Sequence, residues 1–173
     1  MAGIACAQRL QRAGYRPTVF DKGRGIGGRM ASRRAGEAGA FDHGAQFLTA
    51  RTLGFQSCMD RMLAGGAVAE WHPVSAPVRT PKDGPWYVGN PAMNSPVKHL
   101  ASGIDIQLSD RVTGLAKERN GWRLKTEKDP VGKFFDLVIC TTPATQARDL
   151  VAEEPDLIAA LSDVTMAPCW ALM

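Results

Sequence analysis

Four glycines fall within six positions, Gly23, Gly25, Gly27 and Gly28, directly behind a short apolar run, Val19-Phe20, that ends in Asp21. Glycine at that density frees the backbone for positive φ and lets other groups approach the main chain closely. Ahead of the run, Ile4, Ala7, Leu10 and Ala13 recur at helical spacing, and Gly14 offers a C-terminal stop. Residues 2–13 therefore read as a helix and Pro17-Thr18-Val19-Phe20 as a short buried strand. Helix, strand and Gly-rich loop in that order belong to an α/β arrangement. A helix-first start is unusual there, because a crossover helix expects a strand before it.

Further along, residues 35–51 read as loop with a short strand, and 52–64 as a helix with Phe55, Met59 and Met62 on one face. Val68–Trp71 and Trp86-Tyr87-Val88 read as strands on either side of a Pro-rich loop. Ser95-Pro96 opens a helix that ends near Gly103, with Ser95 expected as its N-cap. Ile104–Leu108 alternates as a strand does. Asn120-Gly121 between Val112–Lys117 and Trp122–Thr126 is a hairpin signal. Phe134–Cys140 is a nearly continuous apolar run, which predicts a strand buried on both faces. Pro155–Leu161 reads as a last helix, before a new apolar run over 169–173.

Composition narrows the class. The 173 residues are 45% apolar and 22% charged, enough to bury one core. They exclude disorder, collagen and coiled coil as descriptions of the whole chain. Apolar runs break at Arg, Asp or Lys well short of the roughly 18 residues of a membrane span. Met1–Leu10 lacks the basic stretch of a secretory leader. Cys6, Cys58, Cys140 and Cys169 form no C-x-x-C pair and lie at no zinc-ligand spacing to the His residues. Four reduced thiols, no metal and a cytoplasmic location are the expectation.

A dinucleotide-binding fold presents a Gly-rich turn, a helix, and a second strand whose terminal acid meets the adenosine ribose about 20 residues on. Gly3 opens the helix here, and Asp21 ends the next strand 18 residues later. The spacing fits if Gly3 is the last glycine of G-x-G-x-x-G. The two earlier glycines and the strand before them do not precede it, so the fingerprint is half present.

The segment Asp21-Lys22-Gly23-Arg24-Gly25-Ile26-Gly27-Gly28-Arg29-Met30, with Phe41-Asp42-His43-Gly44-Ala45-Gln46-Phe47, resembles the renalase-like branch of the flavin-containing amine oxidase superfamily. That branch carries an acid-then-Lys step, a G-G-R-M turn and a D-x-G-A-Q segment. Trp86–Met93 is similar to its W-V-G-x-P-x-M stretch. Val138–Gln146 is similar to its V-I-x-A-T-P-x-P-Q strand end. Thr165–Ala171 is similar to the start of a later substrate-domain strand. The resemblance runs in order over essentially the whole chain.

It implies an α/β fold: a Rossmann-like FAD-binding domain interleaved with the start of a mixed α+β substrate domain, with the first strand missing. Residues 1–50 and 104–150 would form the FAD-binding domain. Residues 51–103 would form the first half of the substrate domain, and 151–173 the start of its second segment. Compared with the family, the chain is expected to be truncated at both ends, which would leave Val19-Phe20 and Val138-Ile139 without their shared neighbour.

The cofactor implied is FAD. Asp21 would accept the adenosine ribose hydroxyls, with Lys22 flanking. Arg29 would face the pyrophosphate, where a guanidinium fork suits phosphate oxygens. Gly27, Gly28 and Met30 would form its turn. Gly44, Ala45 and Gln46 would line the flavin. Val112 would offer backbone to the adenine. Thr142 and Pro143 would end a strand against the cofactor, and Gly3 would present a helix N-terminus to phosphate.

The implied activity is oxidoreductase chemistry, with dioxygen as acceptor, peroxide as product and an isomeric dihydronicotinamide dinucleotide as the small-molecule substrate. An amine oxidase of the same superfamily is the alternative, as is a fragment unable to hold FAD. The residues assign no catalytic base. Asp42 reads as a loop hydrogen-bonder or a catalytic acid, and His43 as packing or a proton carrier. The net charge of +4 comes largely from Lys22, Arg24, Arg29, Arg33 and Arg34. Without interleaved aromatics these predict no nucleic-acid partner, and no membrane partner is expected.

Overall fold

The computed structural model describes residues 1–72, 84–128 and 130–170. In chain order the elements are α1 (Ala2–Arg12), β1 (Thr18–Asp21), β2 (Ser32–Arg34), β3 (Ala40–Asp42), α2 (Leu53–Ala64), β4 (Val68–Glu70) and β5 (Tyr87–Gly89). They continue with α3 (Ser95–Leu100), β6 (Asp105–Leu108), β7 (Val112–Glu118), β8 (Gly121–Thr126), β9 (Pro130–Phe135), α4 (Ala144–Leu150) and α5 (Pro155–Ser162). The fold is mixed α/β. It divides into two compact units, one containing Ile26–Gly103 and the other Ala2–Gly25 with Ile104–Trp170.

In the discontinuous unit, β1 pairs with β6 in parallel, from Thr18 against Asp105 to Asp21 against Leu108. Helix α1 buries Ile4 and Ala7. It ends because Gly14, at φ 89°, turns the chain left-handed. The Gly14 amide then donates to the Gln11 carbonyl and the Tyr15 amide to the Leu10 carbonyl, which satisfies two terminal carbonyls. Strands β7, β8 and β9 form an antiparallel sheet in that order, with the tight turn at Arg119-Asn120 that the Asn-Gly pair predicts. Gly121 is required there, because a Cβ would lie 2.7 Å from the Phe135 carbonyl oxygen. The Phe20 and Phe135 rings meet edge to face at 6.1 Å. Arg148 of α4 donates to the carbonyls of Leu161, Ser162 and Val164 and so caps the end of α5.

The Ile26–Gly103 unit holds the best-packed core. Met59 and Met62 of α2, Met93, Pro96 and Val97 are all under 2% exposed. The Thr52 hydroxyl caps α2 by accepting from the Phe55 amide. Gly66 closes the helix at φ 68°, with the same paired carbonyl bonds as Gly14. Strands β2 and β3 form a short hairpin, β4 pairs antiparallel with β5, and Leu48 bridges to Tyr87.

Two expectations need correction. The apolar run Phe134–Cys140 is not one buried strand: β9 ends at Phe135, and residues 137–140 pair with no strand among the described residues. Leu137 is 62% and Ile139 46% exposed. Apolar composition does not by itself recruit a ladder to satisfy the backbone, and among the described residues β1 pairs with β6 alone. The N-cap of α3 is Asn94 rather than Ser95, whose hydroxyl instead accepts from the Ala92 amide. The short strand expected within 35–51 is β3, and it pairs with β2, a strand that no expectation covered. The Pro-rich loop over 73–83 and the end of the last apolar run at 171–173 lie outside the described residues. No described helix is long and apolar enough to cross a membrane.

Candidate functional site

The residues expected to hold a cofactor fall into two groups, one in each unit. In the discontinuous unit Asp21 ends β1, and its Oδ1 accepts the Gly23 amide at 2.8 Å. That bond folds the start of the Gly-rich loop back on the strand. The loop is held from outside as well, because the Asp110 amide donates to the Asp21 carbonyl and the Ser109 amide to the Gly23 carbonyl. Val112 follows two residues later, half-buried at the start of β7. Lys22 is exposed, with its Nζ 3.0 Å from Oε1 of Gln146 on α4.

Gly3 lies in the first turn of α1, where a Cβ would sit 2.9 Å from the Thr141 hydroxyl. The helix start and the segment between β9 and α4 therefore touch because Gly3 has no side chain, which is the packing role of the last fingerprint glycine. Thr142 is exposed with its Oγ1 3.2 Å from Cys140 Sγ, and Pro143 caps α4 at φ −55°. Asp21, Lys22, Gly3, Thr142 and Pro143 thus stand at element ends joined by short contacts.

In the Ile26–Gly103 unit, Gly27, Gly28, Arg29 and Met30 form a single 3-10 turn. Gly27 at φ 152° and Gly28 at φ 55° both need glycine's conformational freedom. Met30 is buried beneath the turn, and the Arg29 side chain is exposed with no partner among the described residues. The second motif lies directly against this turn. The Ala45 amide donates to the Arg29 carbonyl at 2.9 Å, and a Cβ on Gly44 would lie 2.0 Å from the same oxygen. Gln46 is exposed beyond it. Phe47 stacks on Trp86 with centroids 4.4 Å apart, and Trp71 tilts against both rings.

Each group by itself has features that suit part of a dinucleotide cofactor. Arg29 is an exposed guanidinium on a turn whose preceding residue, Gly28, is exposed and leaves the backbone open. The second oxygen of Asp21 has no partner among the described residues, as a ribose acceptor requires. The buried Oδ1 of Asn94 also has none, beside the point where a Gly27 Cβ would meet Asn94.

Asp42 is a hydrogen-bonder: its Oδ1 accepts the Ser32 hydroxyl and, at 3.1 Å, the Met93 amide. His43 is half-buried, His72 lies 3.4 Å from Glu70, and His99 packs against Gly65. Trp170 is 97% exposed. Gln146 and Asn94 are the residues that sequence reasoning passed over. Gln146 stood in a quoted motif without a role, and nothing in the spacing marked Asn94. No group of His, Cys, Asp and Glu among the described residues could hold a metal ion.

Two family models match the chain: an NAD(P)-binding Rossmann-like domain over residues 1–64, and a flavin containing amine oxidoreductase over residues 75–171. A renalase from Mus musculus is 30% identical over 171 residues, covering 91% of this chain and 49% of that protein. The chain thus spans about half the length of this curated relative. A solved structure described as a protoporphyrinogen oxidase from Exiguobacterium sp. 255-15 superposes with a TM-score of 0.67 at 13% identity, over 89% of this chain and 60% of the other. That likeness supports the Rossmann-like flavin-oxidase fold. The second family model alone spans more than half of the chain, and the cofactor it implies is FAD. The chain belongs to the flavin-containing amine oxidoreductase family.

Proposed function

We propose that the chain supplies the FAD-holding part of a flavin-dependent oxidoreductase. Residues 1–50 and 104–150 carry the cofactor, residues 51–103 begin the substrate domain, and 151–173 begin its second segment. The observation that carries this reading is the close approach of the Gly44-Ala45 backbone to the Arg29 carbonyl, which welds the G-G-R-M turn to the G-A-Q segment. Two motifs distant in sequence thus act as one binding element.

Arg29 meets the pyrophosphate, and Gly44, Ala45 and Gln46 line the flavin. Asp21 accepts the ribose hydroxyls while Lys22, steadied by Gln146, flanks them. Val112 offers backbone to the adenine, Gly3 presents a helix N-terminus to phosphate, and Thr142 and Pro143 stand against the cofactor. The cofactor would supply two-electron chemistry: a hydride accepted from the substrate, whose two electrons and proton, together with one further proton from water, reduce dioxygen to hydrogen peroxide.

An isomeric dihydronicotinamide dinucleotide is the substrate we favour, supported by the likeness to a renalase. Oxidation of an amine is the second reading, supported by the family description over residues 75–171. The test is the visible spectrum of the purified chain after addition of FAD and desalting. A retained flavin band is the expected outcome, and a colourless protein would overturn the reading. Peroxide release with dihydronicotinamide isomers, compared with a panel of primary amines, then separates the two substrates.

A further inference from the structure

The carboxylate of Asp42 stands where the two supports of the Arg29 turn meet. One support is the chain that follows it: three residues on, the Ala45 amide holds the Arg29 carbonyl, with Gly44 pressed against the same oxygen. The other is the segment Gly89–Asn94. Asp42 accepts the Met93 amide at 3.1 Å, and Met93 itself is 1% exposed. The next residue, Asn94, backs Gly27, whose Cβ would lie 3.2 Å from the Asn94 Cβ and 2.9 Å from the Ala31 Cα. Asp42 also accepts the Ser32 hydroxyl from β2, the strand that leaves the turn.

One carboxylate thus ties down the segment before the turn's partner, the segment behind the turn, and the strand after it. We propose that Asp42 is a positioning residue for Arg29. It fixes the turn that, on the reading given above, presents the guanidinium to the FAD pyrophosphate. Asp42 itself need not touch the cofactor. The need is for an acceptor oxygen at this place rather than for a negative charge, because both donors to it are neutral. A negative charge there would, if anything, repel a pyrophosphate.

Two measurements on the full chain test this. In the cofactor-free protein, Asp42→Ala should speed hydrogen exchange of the Ala45 amide relative to amides of α2, and Asp42→Asn, which keeps an acceptor oxygen, should not. Unchanged Ala45 exchange, or acceleration matched throughout α2, would overturn the proposal whatever FAD does. In FAD titrations followed by flavin fluorescence, Asp42→Ala should raise Kd about tenfold, as loss of a buried amide's acceptor allows, with Asp42→Asn within about twofold.

In an Arg29→Gln background the Asp42→Ala effect should shrink below about twofold, since the two residues act in series. Equal losses in the Ala and Asn variants would assign the effect to charge, and full additivity with Arg29→Gln would assign it elsewhere. Either result would overturn the proposal. Should Asp42→Ala fail to fold, Asp42→Glu displaces the carboxylate by one methylene and carries the same expectations. A wild-type chain that binds no FAD but shows the exchange pattern would uphold the positioning and remove the flavin reading.

Discussion

The two halves of the glycine-rich loop differ in what surrounds them. Gly25 has nothing within 4 Å of where a Cβ would stand, and its φ lies outside the left-handed region. Gly27 is hemmed in by Ala31 and Asn94, and Gly28 sits at φ 55°. The units to which the halves belong differ in the same sense. Every side chain noted above as under 2% exposed lies in the Ile26–Gly103 unit, although both units expose large apolar side chains, Leu53 and Trp71 in that one and Tyr15, Leu137, Leu157 and Trp170 in the other. Glycine in one sequence motif therefore serves two purposes. At Gly23, Gly27 and Gly28 it answers close neighbours or a positive φ, and at Gly25 neither demand is present.

That contrast can be broken most forcefully in the cores. Met59→Ala should cost about 2–5 kcal/mol in urea unfolding, whereas Leu157→Ala on exposed α5 should cost under about 1 kcal/mol. Equal costs would show that the two units do not differ in packing. Next, Gly44→Ala forces a Cβ onto the Arg29 carbonyl and should cost about 1–3 kcal/mol, with at least a tenfold rise in the Kd for FAD. Gly25→Ala should stay within about 0.5 kcal/mol; a cost like that of Gly44 would erase the distinction between open and crowded glycines. Gly28→Ala has space but the wrong backbone sign, so about 1–2 kcal/mol is expected, measured in the same assay. Smallest of all, Gln146→Ala frees an exposed Lys22 and should change FAD affinity less than about threefold.

What the sequence disclosed followed local rules. Gly14, Gly66 and Asn120-Gly121 stop helices or turn a hairpin through backbone demands that lie within a few residues, so each is legible where it stands. Met59 and Met62 were legible as core from helical spacing. Leu137–Cys140 were misjudged because apolar composition shows that a segment could be buried, while a ladder depends on which other strands are there to receive it. Strand β2 was missed because Ser32-Arg33-Arg34 carries no apolar alternation; its pairing rests on β3 and on the Ser32–Asp42 bond. At the site, motif resemblance named Arg29 and Gly44 separately. Their contact, and the roles of Asn94 and Gln146 as supports, depend on tertiary approach that no spacing encodes.

The parallel register of β1 with β6 bears on how the chain is made. Asp21 leaves the ribosome 84 residues before Asp105, the first residue of its partner strand. At about 5–20 residues per second, β1 waits roughly 4–17 s with its hydrogen-bonding edge unanswered. During that interval Ile26–Gly103, which makes up nearly all of one compact unit, emerges in full. A nascent chain that folds this unit first replaces a long floppy loop by a compact insert. The later search of β6 for β1 then becomes a short closure.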